Sequence, residues 1–464
     1  FGEDAVVASR ELGITLTKRD KGPDALPMAG VPVRSVEGYL LRLVRKGFRV
    51  AICEQLTDPR QAKGIVERGI VRVVTAGTLT EEDALDARAS NFLLALARSG
   101  PRIGASWVDL STGRLLAAER PLANLLDLLV EVEPAEVLLC PEQFQDQPEL
   151  LAELERQFGP RLTEREGWRF DRGAALRACR RQFGVQTLAG FGLEDDQAAV
   201  PAVGVLLEYL GETQKNACAH VRRIELAENG RHLVLDRTTR SCLELVETQR
   251  GARREGSLLD VLDATATPMG GRLLREWLLY PLVDPDPILA RQAAVAEWVA
   301  DPSSREALRE ALAGMRDLER LCAKLSTGRV NGRDLLALAQ SAALVPQLIA
   351  VLAGAGAARL LSLRAQLDPL TDLTERVRRT LVPEPPLTVR EGGLIASGFD
   401  AELDELRQIA GDGKGWMARF QAEESQRSGI PNLKIGFNSV FGYYIEVPHG
   451  QVERVPDHFI RRQT

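Results

Sequence analysis

Paired cysteines, clustered histidines, a phosphate-cradling glycine loop and a long apolar run are all missing here, and each absence excludes something. The six cysteines (Cys53, Cys140, Cys179, Cys218, Cys242, Cys322) stand singly with no CxxC among them. His220, His232, His449 and His458 do not fall at metal-ligand spacing beside them. Reduced, structural thiols of a cytoplasmic protein follow, with no zinc site. No GxxxxGK followed by Ser or Thr occurs, and Gly413-Lys414-Gly415 lacks both the spacing and the hydroxyl that holds magnesium. Gly354-Ala355-Gly356 follows a helical pattern and lacks the third glycine of a dinucleotide loop. No secretory leader is expected. No apolar run approaches the roughly 20 residues of a membrane span, so no membrane association is expected. The net charge of −6 excludes a polycation, and any grip on nucleic acid must come from local basic faces.

What is present suggests about three domains at ~150 residues each. The chain is organised around Leu235–Leu282, where Leu243, Leu245, Leu258, Leu259 and Leu262 recur at mostly helical intervals. Met269-Gly270-Gly271 punctuates that pattern. Leu273, Leu274, Trp277 and Leu278 then line one face of a helix that Pro281 closes. Buried helices are expected, with Trp277→Ala costing about 3–5 kcal/mol. Helices continue beyond, through a stripe of Leu318, Leu321, Cys322 and Leu325, a break at Gly328–Gly332, and Leu335, Leu336 and Leu338. Glu402, Asp404 and Glu405 make a later helix acidic.

Ahead of this stretch, Ala5–Leu12 and Ser35–Lys46 read as helices and Ile14–Thr17, Arg49–Cys53 and Ile70–Thr75 as strands. The first fifty residues carry nine Lys or Arg against six Asp or Glu, with Lys18, Arg19, Lys21 and Arg34 around one loop. IGASWVDLSTG and RLLAAER form a strand hairpin, Leu122–Val130 a helix and AEVLLC a buried strand, suggesting a layered α/β domain. After Ser428 the period becomes two. Leu433, Ile435 and Phe437, then Phe441, Tyr443, Ile445 and Val447, predict an antiparallel hairpin with one apolar face and a bend near Ser439.

LDRTTRSCLEL with SLLDVLDATATPMGGRLLREWLLYPL closely resembles the opening of the core domain of the MutS family of DNA mismatch repair proteins. FGEDA, PMAGVPVRS, KGFRVAICEQ and VVTAGTL resemble that family's mismatch-recognition domain. WVDLSTG and PAEVLL resemble its connector, GMRDLERL and GRVNGRDL its core, and KIGFNSVFGYYIEV and RRQT its clamp. The resemblance runs along the whole chain in family order. It implies a multidomain α/β and α architecture: residues 1–88 a small mixed α/β mismatch-recognition domain, 89–229 a ribonuclease-H-like connector, 230–427 a mainly helical core and lever, and 428–464 the start of a β clamp.

The resemblance also implies binding to mispaired or looped duplex DNA. The family wedges a Phe-x-Glu motif beside a mispair, where unstacking costs less. That motif is expected just upstream of FGEDA, so Phe1-Gly2-Glu3 is expected to be ordinary fold. Met28 and Arg34 match a family loop that lies against DNA. Lys18, Arg19 and Lys21 are further backbone candidates, and Lys434 and Asn438 sit on the polar face of the clamp hairpin. An intact family member is expected to dimerise, to use ATP and magnesium in a domain outside these residues, and to signal to a MutL-type partner. Residues 1–464 are expected to bind no cofactor or metal, to have no catalytic residue, and to show little mismatch preference. Two other readings are open. One is a non-catalytic scaffold for branched DNA. The other is a metal-dependent nuclease built on Asp109, although a turn-forming role beside Ser111-Thr112-Gly113 is simpler.

Overall fold

The computed structural model describes residues 1–18, 22, 25–57, 66–81, 84–215, 218–227, 230–438, 442–456 and 458–460. They fall into two compact units, Phe1–Glu375 and Arg376–Thr464.

The first unit opens with the helix Glu3–Leu12, the short antiparallel pair β1 (Leu16–Lys18) and β2 (Pro27–Ala29), and the helix Val36–Arg45. A second antiparallel pair follows, β3 (Val50–Gln55) and β4 (Arg68–Val74), with an irregular register between Ile52 and Cys53. Leu40, Leu41 and Val44 sit on one side of their helix because they recur at three and four residues. They pack with Val74 and Leu79 into a small core.

A six-stranded sheet comes next, built from β5 (Phe92–Ser99), β6 (Arg102–Asp109), β7 (Arg114–Pro121), β8 (Glu136–Leu139), β9 (Leu162–Glu164) and β10 (Ile224–Leu226). Its order is β10-β7-β6-β5-β8-β9; β5, β6 and β7 form an antiparallel meander, and β8, β9 and β10 join in parallel. Both faces are covered, so β5, β6 and β8 are buried almost throughout instead of alternating. One face carries the helix Leu125–Val132 and Phe144, Leu154 and Phe158. The other carries the helices Arg172–Phe183 and Ala199–Gln214. Gly104 lets the latter settle onto the sheet, since a Cβ there would lie 1.8 Å from the carbonyl oxygen of Ala198.

The rest of this unit is helical, and its helix starts are written in side chains. Asp236, Ser257, Thr267, Asp284, Asp301, Asp317 and Asn331 each accept a hydrogen bond from a backbone N–H of the helix they precede. Pro268, Pro285 and Pro302 occupy the first turn, where the missing N–H is harmless. The helix Pro268–Leu279 therefore begins at Thr267-Pro268. Met269-Gly270-Gly271 lies inside it and does not interrupt the pattern as expected.

Three other expectations are corrected. The Leu face is only partly buried: Leu245, Leu259 and Leu279 are inside, but Leu243, Leu258, Leu262 and Leu273 are 40–55% exposed. Trp277 is half-buried beneath Arg291, whose guanidinium lies 3.8 Å from the ring centroid. In the next stripe Leu321 is buried while Cys322 and Leu325 face outward. The stretch Gly332–Gly354, moreover, is long and apolar enough by composition to cross a membrane. Here it breaks into the helices Gly332–Ala342 and Val345–Val351, and buried Ser341 accepts a hydrogen bond from the N–H of Arg316.

The second unit contains the bridge Leu381–Ile395, the 28-residue helix Ala401–Ser428, and the antiparallel pair β11 (Lys434–Asn438) and β12 (Gly442–Glu446). Ile430 and Leu433 are its buried residues at the helix-to-hairpin turn, where Ser425 donates to the Ile430 carbonyl at 2.7 Å. The expected apolar face of the hairpin is largely open: Phe437 is 64% and Tyr443 70% exposed, and the two rings meet with centroids 5.0 Å apart and planes tilted by 60°.

Candidate nucleic-acid interface

Two separate surfaces carry the residues expected to meet nucleic acid. In the first unit, β1 and β2 pair Thr17 with Met28 and Lys18 with Pro27, and the Thr17 hydroxyl donates to the Met28 carbonyl at 3.0 Å. Lys18 is exposed and Met28 half-buried on this ribbon. Arg34 lies six residues on, exposed, in the single 3-10 turn Val33–Ser35. Val33 beside it is 87% exposed, and Arg34 makes no ion pair among the described residues, so its guanidinium is available to an outside anion. Arg19 and Lys21 lie outside the described residues. Glu3 is an acid in the first turn of the helix Glu3–Leu12, where it complements the helix dipole.

In the second unit, exposed Lys434 opens β11 opposite Glu446, and Asn438 closes the strand opposite Gly442. The facing carboxylate tempers the Lys434 charge. Each unit thus presents a short two-stranded ribbon bearing a basic residue.

Asp109 is not aimed outward from its strand. It is buried, and one carboxylate oxygen accepts from the Ser111 N–H at 2.9 Å and the Ser111 hydroxyl at 2.6 Å. The other accepts from the Asn91 N–H at 3.3 Å. Burial pushes its pKa up, against the pull of Ser111 and the charge of Arg320. These contacts make it the pin of the β6–β7 turn. No grouping of His, Cys, Asp and Glu fit to hold a metal ion occurs among the described residues.

Buried arginines tie the helical region to the rest of the first unit, and the periodicity gave no sign of them. Arg320 is 5% exposed and donates to the carbonyls of Asp86 and Ala89, at 2.9 and 3.0 Å, and to the Ser111 hydroxyl at 3.2 Å. Arg272 forks onto Asp317 at 2.6 and 2.8 Å and reaches Glu319 and the Ala87 carbonyl. Arg240 reaches the carbonyls of Leu235 and Leu279. Arg88 and Arg254 converge on Asp263, whose side chain is 1% exposed. Burial alone would raise that carboxyl; the Thr265 hydroxyl and the two guanidinium groups outweigh it and hold its pKa well below the usual range.

A second hub joins the first small domain to the sheet. Glu136 on β8 is buried and accepts from the Thr75 hydroxyl at 2.5 Å, the Gly77 N–H at 3.0 Å, the Thr163 hydroxyl at 2.9 Å and the Tyr209 hydroxyl at 2.6 Å. Four donors thus converge on one buried side chain, so the joint is held by direction as well as by contact. Gly77 must be glycine there, because a Cβ would lie 2.8 Å from that of Glu136.

The class is now defined: a multidomain protein with a small mixed α/β domain, a covered six-stranded sheet, a helical region clamped by buried arginines, and a terminal hairpin. Three family models fall on those regions in order. MutS domain I matches residues 1–83, MutS domain II residues 91–222 and MutS domain III residues 238–443. The chain is 44% identical over its whole length to the DNA mismatch repair protein MutS of Symbiobacterium thermophilum, covering 54% of that protein. The proteins of the same name from Myxococcus xanthus and Salinibacter ruber are 44% and 42% identical over the whole chain, covering 52% and 51% of their lengths. The chain belongs to the MutS family and spans about half the length of these curated relatives.

Proposed function

We propose that this chain serves in DNA mismatch recognition, holding duplex DNA through the ribbon around Lys18, Met28 and Arg34 and the hairpin bearing Lys434 and Asn438. The carrying observation is the match over the entire chain to proteins named for DNA mismatch repair. Exposed Arg34, with no ion-pair partner among the described residues, supports the first contact. Arg19 and Lys21, which lie outside the described residues, are proposed with it from their place in the sequence.

The six-stranded sheet is read as ribonuclease-H-like, on its antiparallel meander extended by parallel strands. The intact protein is proposed to work in the cytoplasm as a homodimer, to bind ATP and magnesium outside these residues, and to engage a MutL-type partner. Residues 1–464 are proposed to act without catalysis or a cofactor of their own, in keeping with the engaged oxygens of Asp109.

Fluorescence anisotropy with a labelled duplex tests the DNA reading. Binding should weaken steeply with salt, and Arg34→Glu or Lys434→Glu should each lower the salt slope by about one. Absence of salt-dependent binding, or binding indifferent to both substitutions, would overturn the assignment of these contacts.

A further inference from the structure

A cavity of about 1140 Å³ lies between the sheet and the helix Pro268–Leu279, and its walls are rich in arginine. Several wall carboxylates are already taken. Arg114 bonds Glu225 at 2.9 Å and forks onto Glu276 at 2.6 and 3.0 Å, and Arg275 bonds Glu133 at 2.5 Å. Asp127 and Glu131 are the other wall acids, and Arg120 and Arg240 stand near Glu131. The surplus falls on Arg231, Arg291 and Arg359, which line the same space and make no ion pair among the described residues.

Arg291 is the informative member. Its Nε is buried with no acceptor, as are those of Arg72, Arg165 and Arg180. Those three guanidinium groups bond Glu81, Glu212 and Asp195 through other nitrogens, whereas Arg291 rests on the Trp277 ring. Burial first, then the neighbouring charges of Arg359 and Arg231, push its pKa down against the smaller opposing pull of Glu276, as expected where like charges share one cavity. An anion entering there would relieve that repulsion and give the Nε its acceptor.

We propose that this cavity binds a compact polyphosphate anion, inorganic or carried by a nucleoside, through Arg231, Arg291 and Arg359. Closely spaced phosphate oxygens suit three guanidinium groups lining one cavity better than one carboxylate does. The space exceeds the ~300–1,000 Å³ usual for small-ligand pockets, so a nucleoside triphosphate fits. Trp277, Tyr280 and His232 on the same wall offer ring faces or edges to a base. The proposal is independent of DNA recognition. With no P-loop pattern in the sequence, nucleotide bound by this chain cannot be credited to such a loop.

Isothermal titration of the full chain with sodium tripolyphosphate, and separately with ATP, tests it. Both should bind, tighter binding of ATP marking a base contact and equal binding a phosphate-only site. The double variant R231A/R359A changes two exposed side chains and should weaken both by at least about tenfold, with the unliganded melting curve unchanged. Arg291→Lys keeps the charge but not the fork and should weaken both several-fold. No binding at millimolar ligand, affinity unchanged in the variants, or loss of duplex binding in place of polyphosphate binding would overturn the proposal.

Discussion

The sheet domain and the helical region of the first unit hold themselves together by different means. The sheet domain encloses two apolar cores, one on each face, with side chains such as Leu96, Leu129 and Leu138 fully out of water. The helical region has one small buried cluster around Ala294, Leu352 and Leu360, and leaves Leu273, Leu289 and Val295 47–59% exposed. It depends instead on capped helix starts and on arginines that reach into the neighbouring domains. Burial of apolar area stabilises without direction, whereas a guanidinium fork is directional and fixes where one domain stands on another.

The sharpest way to break the comparison is to cut one fork. Arg320→Ala strips a partner from the part-buried carbonyls of Asp86 and Ala89 and from buried Ser111, and should cost about 3–5 kcal/mol, read in urea as early release of the helical region while the sheet signal persists. A single cooperative transition shifted as one would mean the two regions share a core after all. Leu129→Ala, in the sheet, should cost about 2–5 kcal/mol and move the sheet transition alone. Trp277→Ala should cost only about 1–2 kcal/mol, less than its sequence context suggests, because the ring is only partly buried.

Acid should separate the regions further. Asp263 has its folded pKa depressed below an unfolded value of about 3.9, so its stabilisation is complete above pH 4 and fades as pH falls towards the folded value. Asp263→Asn should flatten the acid limb of a melting-temperature profile for the helical region, and an unchanged limb would exclude this residue as its source. The mildest test is chemical. A thiol reagent should label exposed Cys53, Cys242 and Cys322 quickly and buried Cys140, Cys179 and Cys218 slowly. Burial pushes the Cys179 thiol up to about 12 and the Cys140 and Cys218 thiols up to about 11, so they stay protonated at neutral pH.

The same contrast explains what could be read from residues alone. Alternation and apolar runs located the hairpins near Asp109 and Lys434, while strand β5 escaped because FLLALARS fits a buried helix or a buried strand equally well. Thr267-Pro268 and Asp301-Pro302 announce helix starts plainly, yet the glycines after Pro268 drew attention instead. The family strings named the architecture. They did not disclose that Arg240, Arg272 and Arg320 within them are buried, because periodicity treats arginine as a surface residue. The exposure of Phe437 and Tyr443 was equally invisible, since a period of two fixes which residues share a face but not whether anything covers it.

The Glu136 hub has a consequence for how the small first domain can be exchanged. One carboxylate gathers the Thr75 hydroxyl and the Gly77 amide from that domain, and the Thr163 and Tyr209 hydroxyls from its own. A chimera carrying a relative's first domain should inherit this chain's angle of attachment as long as threonine and glycine arrive at those two places. A graft that brings a bulkier residue in place of Gly77 would prise the joint apart even if both halves fold well.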